Sequence, residues 1–280
     1  MLVGNIFNII AILCHLVGNE NRNFQYSDSL KIFISCYNRF MVMNKLAAGA
    51  EKLGLKLGEK EIALFQTYFE ELTDWNQRMN LTAIIEYDKV QINHFLDSLT
   101  VILAWQPPAN KPNPKVIDIG TGAGVPGIPL KIVFPQIRLA LMDSTGKKLT
   151  FLNHLKQKLG LDDIEVINGR AEELAHQIYR ESFDLVLARG LAPMPTLAEL
   201  TIPFCKIAGK VIAHKKSNIE EEMKLAKRAI STMGGKLIEI KPVTLTEFPD
   251  NRCLVVVEKV APTPDQYPRG SGLPVKRPIS

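Results

Sequence analysis

Apolar side chains recur at steps of three and four residues through residues 59–79, which places them on one stripe of an amphipathic helix. The members of this stripe are Ile62, Phe65, Phe69, Leu72, Trp75 and Met79. A second helix is predicted from about Asp88 to Ala104. The next stretch, residues 107–114, contains four prolines, which disfavour both helix and strand pairing. We therefore predict an N-terminal helical cap over residues 44–106 and a linker over residues 107–114.

From residue 115 onward, short and nearly continuous apolar runs alternate with helical patterns. Such runs are typical of strands in a sheet that is covered on both faces. The predicted strands cover residues 115–119, 138–142, 164–167, 183–188, 210–213, 236–241 and 253–260, and the predicted helices cover residues 126–133, 147–159, 192–205 and 219–232. The last two strands follow each other without a helical pattern, so they are expected to pair as an antiparallel hairpin. The predicted fold class is doubly wound α/β, with a core over residues 115–260.

The composition is that of a folded protein and leaves its partners open. Hydrophobic residues make up 46% of the 280 residues and charged residues 22%, which excludes a chain too polar to bury a core. The net charge of +5 is compatible with a polyanionic partner without requiring one. Residues 1–43 are rich in asparagine and show no sustained period. We interpret them as a dispensable leader, or as an over-called start with Met41 or Met43 as the true first residue.

The cysteine and apolar patterns predict a cytoplasmic protein without a metal centre or a membrane anchor. The four cysteines form no C-x-x-C pair and have no histidine at a ligand spacing. Reduced thiols in the cytoplasm are the simplest interpretation, and Cys205 and Cys253 are expected to be buried core residues. The best apolar run, residues 9–14, is far shorter than the roughly 20 residues that a transmembrane helix needs.

A glycine-rich loop after the first predicted strand is the most informative segment. Gly120, Gly122 and Gly124 allow the backbone to turn sharply and to lie against a ligand. Asp118 places a carboxylate beside this loop, which suits the cationic methionine moiety of S-adenosylmethionine and would repel a pyrophosphate. Residues 122–127 nevertheless match the G-x-G-x-x-G pattern of dinucleotide-binding proteins. An NAD-dependent oxidoreductase therefore stays open as an alternative.

Two further acidic residues follow the next predicted strands. Asp143 ends the second strand, 23 residues after Gly120, where a carboxylate can bind ribose hydroxyls in either class of site. Glu172 follows the third strand, in the segment where an adenine would be expected to rest. Together with Asp118 and the terminal hairpin, these residues favour a cofactor site over an ordinary strand–helix turn with surface acids.

Several longer motifs extend beyond the glycine loop. They lie at residues 75–82, 94–99, 118–130, 143–152, 170–173 and 183–189. The Pro-Gly-Ile-Pro-Leu extension of the loop and the His-x-x-Asp-Ser-Leu segment are more specific than the loop itself. On these motifs the chain resembles the bacterial small-subunit ribosomal RNA methyltransferase G family, also called glucose-inhibited division protein B. The resemblance runs from about Phe65 into a basic, proline-rich tail at residues 261–280, and residues 1–43 have no counterpart in it.

The resemblance implies a Rossmann-like class I S-adenosylmethionine-dependent methyltransferase fold. It implies methyl transfer to N7 of a guanine in the decoding-region loop of 16S rRNA, with 16S rRNA or a small-subunit precursor as partner. It also implies cofactor contacts at nine positions: Gly120, Gly122 and Val125 in the loop, Asp143, Ser144 and Thr145 at the ribose, Ala171 and Glu172 at the adenine, and Arg189 facing the methyl-transfer site.

Guanine N7 already carries an in-plane lone pair, so its methylation requires no general base. Alignment and electrostatics then carry the catalysis, and only Arg189 is singled out, as a candidate for positioning the substrate. His94 and Asp97, three residues apart on one helical turn, are candidates either to touch the substrate or to join the cap to the core, and the second role is favoured. Candidate phosphate contacts are Lys147, Lys148, Lys215, Lys216, Arg252, Arg269, Lys276 and Arg277. A non-catalytic cofactor-binding or RNA-binding regulator and a small-molecule methyltransferase remain as alternatives.

Overall fold

The computed structural model describes residues 42–110, 112–216 and 218–279 of the chain. Residues 43–280 form one compact unit. Most of the predicted leader lies outside the described residues, and the division into leader, cap, linker, core and tail stays a prediction.

The N-terminal part of the described chain is helical. Helix α1 spans Asn44–Lys52, and helix α2 spans Glu59–Met79, as the apolar stripe predicts. Phe65, Tyr68 and Leu72 are the buried residues of α2. Across the described ranges, no helix is both long and apolar enough to span a membrane.

The second predicted helix is present but irregular. Its segments are α3 (Tyr87–Val90), a π-helical turn (Gln91–Leu96), α4 (Asp97–Leu99) and a 3-10 turn (Thr100–Leu103). The side-chain oxygen of Gln91 accepts hydrogen bonds from the backbone N–H groups of Lys45 (3.0 Å) and Leu46 (3.2 Å), so this segment anchors the start of α1. π-Helical turns change the direction of the side chains that follow and are frequent at functional sites.

Seven strands form one mixed sheet in the order β3-β2-β1-β4-β5-β7-β6. The strands are β1 (Lys115–Ile119), β2 (Arg138–Asp143), β3 (Ile164–Asn168), β4 (Phe183–Arg189), β5 (Cys205–Lys216), β6 (Gly235–Val243) and β7 (Arg252–Lys259). Strands β1 to β5 pair in parallel, and β7 runs antiparallel to both β5 and β6. The predicted α/β class with a terminal antiparallel hairpin is confirmed.

The helices that connect or follow the strands range from 4 to 13 residues. They are α5 (Gly127–Val133), α6 (Gly146–Lys158), α7 (Ala171–Leu174), α8 (Met194–Thr201), α9 (Glu220–Thr232) and α10 (Leu273–Lys276). Pro126 precedes α5 at its N-cap instead of occupying its first turn.

The prediction of one helix over residues 192–205 is wrong at both ends. Helix α8 begins only at Met194, and Pro203 lies in a 3-10 turn (Ile202–Phe204) that follows it, where an α-helix would lose a hydrogen bond to the proline. Cys205 is not helical but begins β5. The pairing of β4 with β5 shifts register near Phe183. The strand predicted at residues 210–213 therefore corresponds only to the later part of β5, where the pairing is regular.

The strand order determines where a ligand can bind. Strand β1 lies between β2 and β4, so the order of the strands reverses on either side of it. Open α/β sheets bind ligands beyond the carboxyl ends of their strands at such a switch point. The ends of β1, β2 and β4 therefore define the edge at which the site is expected.

Candidate functional site

The loop between β1 and α5 is tied together by the buried carboxylate of Asp118. Its Oδ2 accepts hydrogen bonds from Thr121 Oγ1 (2.6 Å) and from the backbone N–H of Gly127 (2.9 Å). The hydroxyl of Tyr68 on α2 adds a further tie by donating to the carbonyl of Ala123 (2.6 Å). Burial raises the pKa of Asp118 to about 6, although these two hydrogen bonds to Oδ2 act in the opposite direction. The helical N-terminal part and the sheet together fix the loop.

Asp143 links this loop to the turn that follows β2. Its Oδ1 accepts a hydrogen bond from the backbone N–H of Thr145 (2.9 Å), and its Oδ2 accepts one from Gly122 (3.0 Å). The ammonium group of Lys148 lies 3.3 Å from Oδ2. Since each carboxylate oxygen offers two lone pairs, Oδ1 keeps an acceptor site for a ligand.

A cavity of about 350 Å³ opens at this edge of the sheet, and we call it the Asp143 cavity. It lies within the size range of small-molecule sites. Six of the nine residues that the family resemblance assigns to the cofactor line it, namely Gly120, Asp143, Ser144, Thr145, Ala171 and Glu172. The structure brings these six residues together.

The other three assigned residues are placed differently. Gly122 is bound to Asp143 through its backbone N–H. Val125 is half-buried on the loop. Arg189, at the end of β4, lines a neighbouring cavity. Contact of these three residues with a cofactor stays a prediction.

The C-terminal segment completes one side of the Asp143 cavity. Val275 is one of the lining residues, and the backbone N–H of Gly272 donates to Glu172 Oε1 (2.9 Å). Arg269 binds the fully buried carboxylate of Glu199 through two parallel contacts, Nε to Oε1 (2.9 Å) and Nη2 to Oε2 (2.7 Å). The tail is therefore held beside the cavity by an ion pair whose carboxylate is buried.

A second cavity, of about 560 Å³, adjoins the first, and we call it the Asp250 cavity. Its lining includes Ile84, Asn93, Asp97, Arg189, His214, Lys215, Lys216, Pro249, Asp250 and Arg252. Gly190 lines both cavities and has a φ of 61°, a left-handed conformation that glycine adopts without strain. The chain turns at this glycine between the two cavities.

Asp97 joins two arginines at the Asp250 cavity. Its Oδ2 lies 3.0 Å from Arg189 Nε, and its Oδ1 lies 2.8 Å from Arg252 Nη1. Arg189 also donates to the carbonyl of Asn93 (2.6 Å) and to His94 Nδ1 (3.2 Å). These contacts confirm that His94 and Asp97 join the N-terminal helical segment to the sheet.

His94 is expected to make the protein less stable as the pH falls. Burial, assisted by Arg189, lowers the pKa of the ring from 6.5 to about 4. The folded protein keeps the ring neutral while the unfolded chain takes up a proton. The stability from this group is therefore complete above pH 6.5 and is lost as the pH falls toward 4, by ~2 kcal/mol at pH 5.

Urea unfolding of the wild type and of His94→Gln at pH 7.5 and pH 5 measures this effect. The wild type is expected to lose ~2 kcal/mol more than the variant. Asp118 acts in the opposite direction, because a raised carboxyl pKa favours the folded state on acidification. The variant retains Asp118, so this contribution to the pH dependence is the same in both proteins. Equal losses in both proteins would contradict the assignment.

Several predicted phosphate contacts are instead engaged within the protein. Lys148 pairs with Asp143, Lys215 with Glu222, Arg252 with Asp97 and Asp250, and Arg269 with Glu199. Lys216 pairs with Asp250 at 3.2 Å, yet its side chain is 82% exposed. The remaining three, Lys147, Lys276 and Arg277, are exposed. RNA contact by this exposed set stays a prediction.

Cys205 and Cys253 are buried, as predicted. Burial raises the pKa of the Cys205 thiol to about 12, and it also raises the pKa of Cys253. Neither thiol is therefore poised to form a thiolate.

Sequence reasoning missed several lining residues. His214 lies in β5 one position beyond the predicted strand, so a longer strand would have placed it at the carboxyl edge. Asp250 lies between β6 and β7, where no periodic pattern marks it. The only signal for Val275 was the basic, proline-rich composition of the tail, which suggested RNA contact and not a wall of a cavity.

The strand order, the terminal antiparallel hairpin and the cavity at the carboxyl ends of the parallel strands define a Rossmann-like class I S-adenosylmethionine-dependent methyltransferase fold. The family model described as rRNA small subunit methyltransferase G, GidB, matches residues 61–248. The chain belongs to this family, which confirms the resemblance inferred from its motifs.

Curated relatives agree with this assignment. Ribosomal RNA small subunit methyltransferase G of Dehalococcoides mccartyi strain BAV1 is 48% identical over 238 residues, covering 85% of this chain and 100% of that protein. The protein of the same name from Roseiflexus sp. strain RS-1 is 44% identical over the same shares of both chains. That from Moorella thermoacetica is 46% identical over 235 residues, covering 84% of this chain and 97% of the relative.

Proposed function

We propose that this protein transfers the methyl group of S-adenosylmethionine to N7 of a guanine in the decoding-region loop of 16S rRNA, in the cytoplasm. The observation that carries the proposal is the convergence of six family-assigned residues on the Asp143 cavity. Membership of the family supports rRNA of the small subunit as the substrate.

The residues present fit this cofactor. Asp143 has acceptor capacity for ribose hydroxyls. A Cβ at Gly120 would lie 2.6 Å from Leu191 Cδ1, so a larger residue there would collide with Leu191 at the cavity wall. Asp118 Oδ1 and Arg189 Nη1 are buried without hydrogen-bond partners among the residues described. The Asp118 oxygen is an acceptor, which matches the amino group of a methionine moiety, and Nη1 is the donor that Arg189 keeps for a ligand.

When bound, S-adenosylmethionine supplies a methyl group that is activated by its sulfonium. Because guanine N7 offers an in-plane lone pair, the protein has no proton to remove and needs to align the base. Asp97 and the Asn93 carbonyl fix the Arg189 guanidinium, whose donors suit guanine O6 or a phosphate. Because the charges of Arg189 and Asp97 are already paired and fixed before the base binds, they need not reorganise during the reaction.

The geometry of the loop disfavours a dinucleotide. In dinucleotide-binding folds, the pyrophosphate lies at the N-terminus of the helix after the glycine loop. Here the backbone N–H of Gly127, the first residue of α5, is already bound by the Asp118 carboxylate at 2.9 Å. A second anion at this position would meet a buried negative charge whenever Asp118 is ionised.

Titration calorimetry tests the choice of cofactor. The purified protein is expected to bind S-adenosylhomocysteine and not NADH, and tight binding of NADH alone would overturn the proposal. Transfer of radiolabelled methyl groups to 16S rRNA or to small-subunit precursors tests the activity. Binding of S-adenosylhomocysteine without any transfer would instead favour the non-catalytic regulator.

Arg269→Ala is expected to weaken the binding of S-adenosylhomocysteine. The change removes the guanidinium contacts to the buried Glu199 carboxylate and leaves it only the backbone N–H of residue 269, so the tail is held less firmly and Val275 is displaced from the wall of the Asp143 cavity. Loss of one apolar contact of ~1.5 kcal/mol corresponds to a dissociation constant that is about tenfold higher. Calorimetry measures this constant, and Lys276→Ala is the matched control because it removes an exposed tail cation. Equal affinities in the two variants would show that this ion pair has no role in cofactor binding.

A further inference from the structure

We propose that the Asp250 cavity receives the target guanine and that Asp250 selects it over adenine by accepting hydrogen bonds from its N1–H and N2 amino groups. The inference rests on the proposed function, since it assigns a site to the methyl acceptor of that reaction. The Asp250 cavity adjoins the Asp143 cavity at Gly190, so the acceptor base and the methyl donor would meet there.

The reaction itself does not distinguish the two purines, because guanine and adenine both carry N7. Their pyrimidine-ring edges do differ. Guanine presents N1–H and the N2 amino group side by side, whereas adenine presents an unprotonated N1. A carboxylate accepts from both guanine donors and repels the lone pair of adenine N1. Enzymes that act on an unstacked base read this edge by hydrogen bonds.

Two carboxylates line the Asp250 cavity, and they differ in exposure and in the acceptor sites that they keep free for a ligand. Asp97 is 6% exposed and has each oxygen paired with an arginine. The Asp250 side chain is 31% exposed. Its Oδ1 lies 2.7 Å from Arg252 Nε, and its Oδ2 lies 3.2 Å from Lys216 Nζ, so each oxygen keeps a lone pair for a base.

Arg252 holds Asp250 in a fixed position. Its guanidinium also contacts Asp97 (2.8 Å) and the side-chain oxygen of Asn93 (2.7 Å), and it lies 4.3 Å from the centre of the Phe248 ring. The hydrogen bond from Arg252 lowers the pKa of Asp250, which keeps the carboxylate ionised and purely an acceptor. A fixed acceptor of this kind is what recognition of a base edge requires.

Lys216 offers the backbone of the RNA a phosphate contact beside this acceptor. The Lys216 side chain is 82% exposed next to Asp250 and carries a positive charge. Phosphate contacts position a nucleic acid without reading its bases. Lys216 therefore serves as a matched control for Asp250, since both side chains belong to the same ion pair but only the carboxylate can discriminate between bases.

Inosine at the target position tests the inference, because it keeps N7 and N1–H and lacks the N2 amino group. Splinted ligation gives 16S rRNA with guanosine or inosine at this position, for assembly into small-subunit particles. Wild type is expected to prefer guanosine in kcat/KM. Asp250→Ala should lower kcat/KM for guanosine by about tenfold to a hundredfold and abolish the preference. Its dissociation constant for S-adenosylhomocysteine should not change, and Lys216→Ala should keep the preference.

Two results would overturn the inference while leaving the proposed function intact. One is a wild type that methylates guanosine and inosine particles equally well. The other is an Asp250→Ala variant in which both rates fall equally, which would mean that Asp250 acts only by supporting Arg252. A wild type that binds S-adenosylhomocysteine but methylates neither particle would contradict the proposed function itself.

Discussion

Asp143→Ala is expected to raise the dissociation constant for S-adenosylhomocysteine by about a hundredfold or more. The carboxylate joins the N–H groups of Gly122 and Thr145, and it is assigned to the ribose hydroxyls as well. The hydrogen bond from the ribose to the free acceptor site of Oδ1 contributes ~1.5–3 kcal/mol, and loss of the Gly122 and Thr145 contacts, which position the loop and the turn at the cofactor, brings the effect to this factor. Titration calorimetry measures the change.

Two further variants distinguish loss of the ribose contact from loss of the fold. Asp143→Asn keeps one acceptor oxygen and is expected to bind with intermediate affinity. Lys148→Ala removes only the cation that lies 3.3 Å from the carboxylate and should bind nearly as the wild type does. Wild-type affinity in Asp143→Ala, with an unchanged thermal unfolding temperature, would rule out Asp143 as the ribose ligand.

Arg189→Ala is expected to lower the rate of methyl transfer at saturating S-adenosylmethionine by about a hundredfold or more, the usual effect of losing one preorganised donor at a reacting group. The cost in stability should be smaller, below ~3 kcal/mol, because Asp97 keeps Arg252 as a partner. Single-turnover transfer to small-subunit particles and urea unfolding measure the two effects.

Arg189→Lys is the matched variant for this position. Lysine keeps the positive charge and loses the planar fork that contacts Asp97, Asn93 and His94 together. Transfer is expected to recover only in part. Wild-type turnover in Arg189→Ala would show that the arginine only joins the helical segment to the sheet.

Local sequence patterns predicted most of the sheet and the glycine loop. Strand β1 coincides with its predicted range, because a short stretch with three apolar residues, Val116, Ile117 and Ile119, is bounded by prolines before it and glycines after it. The parallel order then brings the end of β2, with Asp143, to the loop, as the spacing from Gly120 predicts. Six residues of the Asp143 cavity could be assigned from the sequence because the family resemblance covers them, and Gly120 and Asp143 were also marked by their positions at the ends of strands.

Irregular segments and distant contacts were not predictable in the same way. The π-helical turn at Gln91–Leu96 carries no sequence signal that sets it apart from an α-helix, so the redirected side chains could not be predicted. The ion pair between Asp97 and Arg189, and that between Asp97 and Arg252, join segments far apart in the chain. Asp250 contacts Arg252 only two residues away, but Arg252 is itself positioned by Asp97 and Asn93, which are distant in the chain. The Asp250 cavity therefore emerges only from the fold.

Mapping of N7-methylguanine in 16S rRNA is the most direct test of methyl transfer by this protein. RNA from a strain that lacks the enzyme is incubated with S-adenosylmethionine, with and without the purified protein, and is then cleaved with aniline and read by primer extension. We predict one new stop, at a guanine of the decoding-region loop, only when the protein is present. Identical stops with and without the protein, in a preparation that binds S-adenosylhomocysteine, would contradict the proposal.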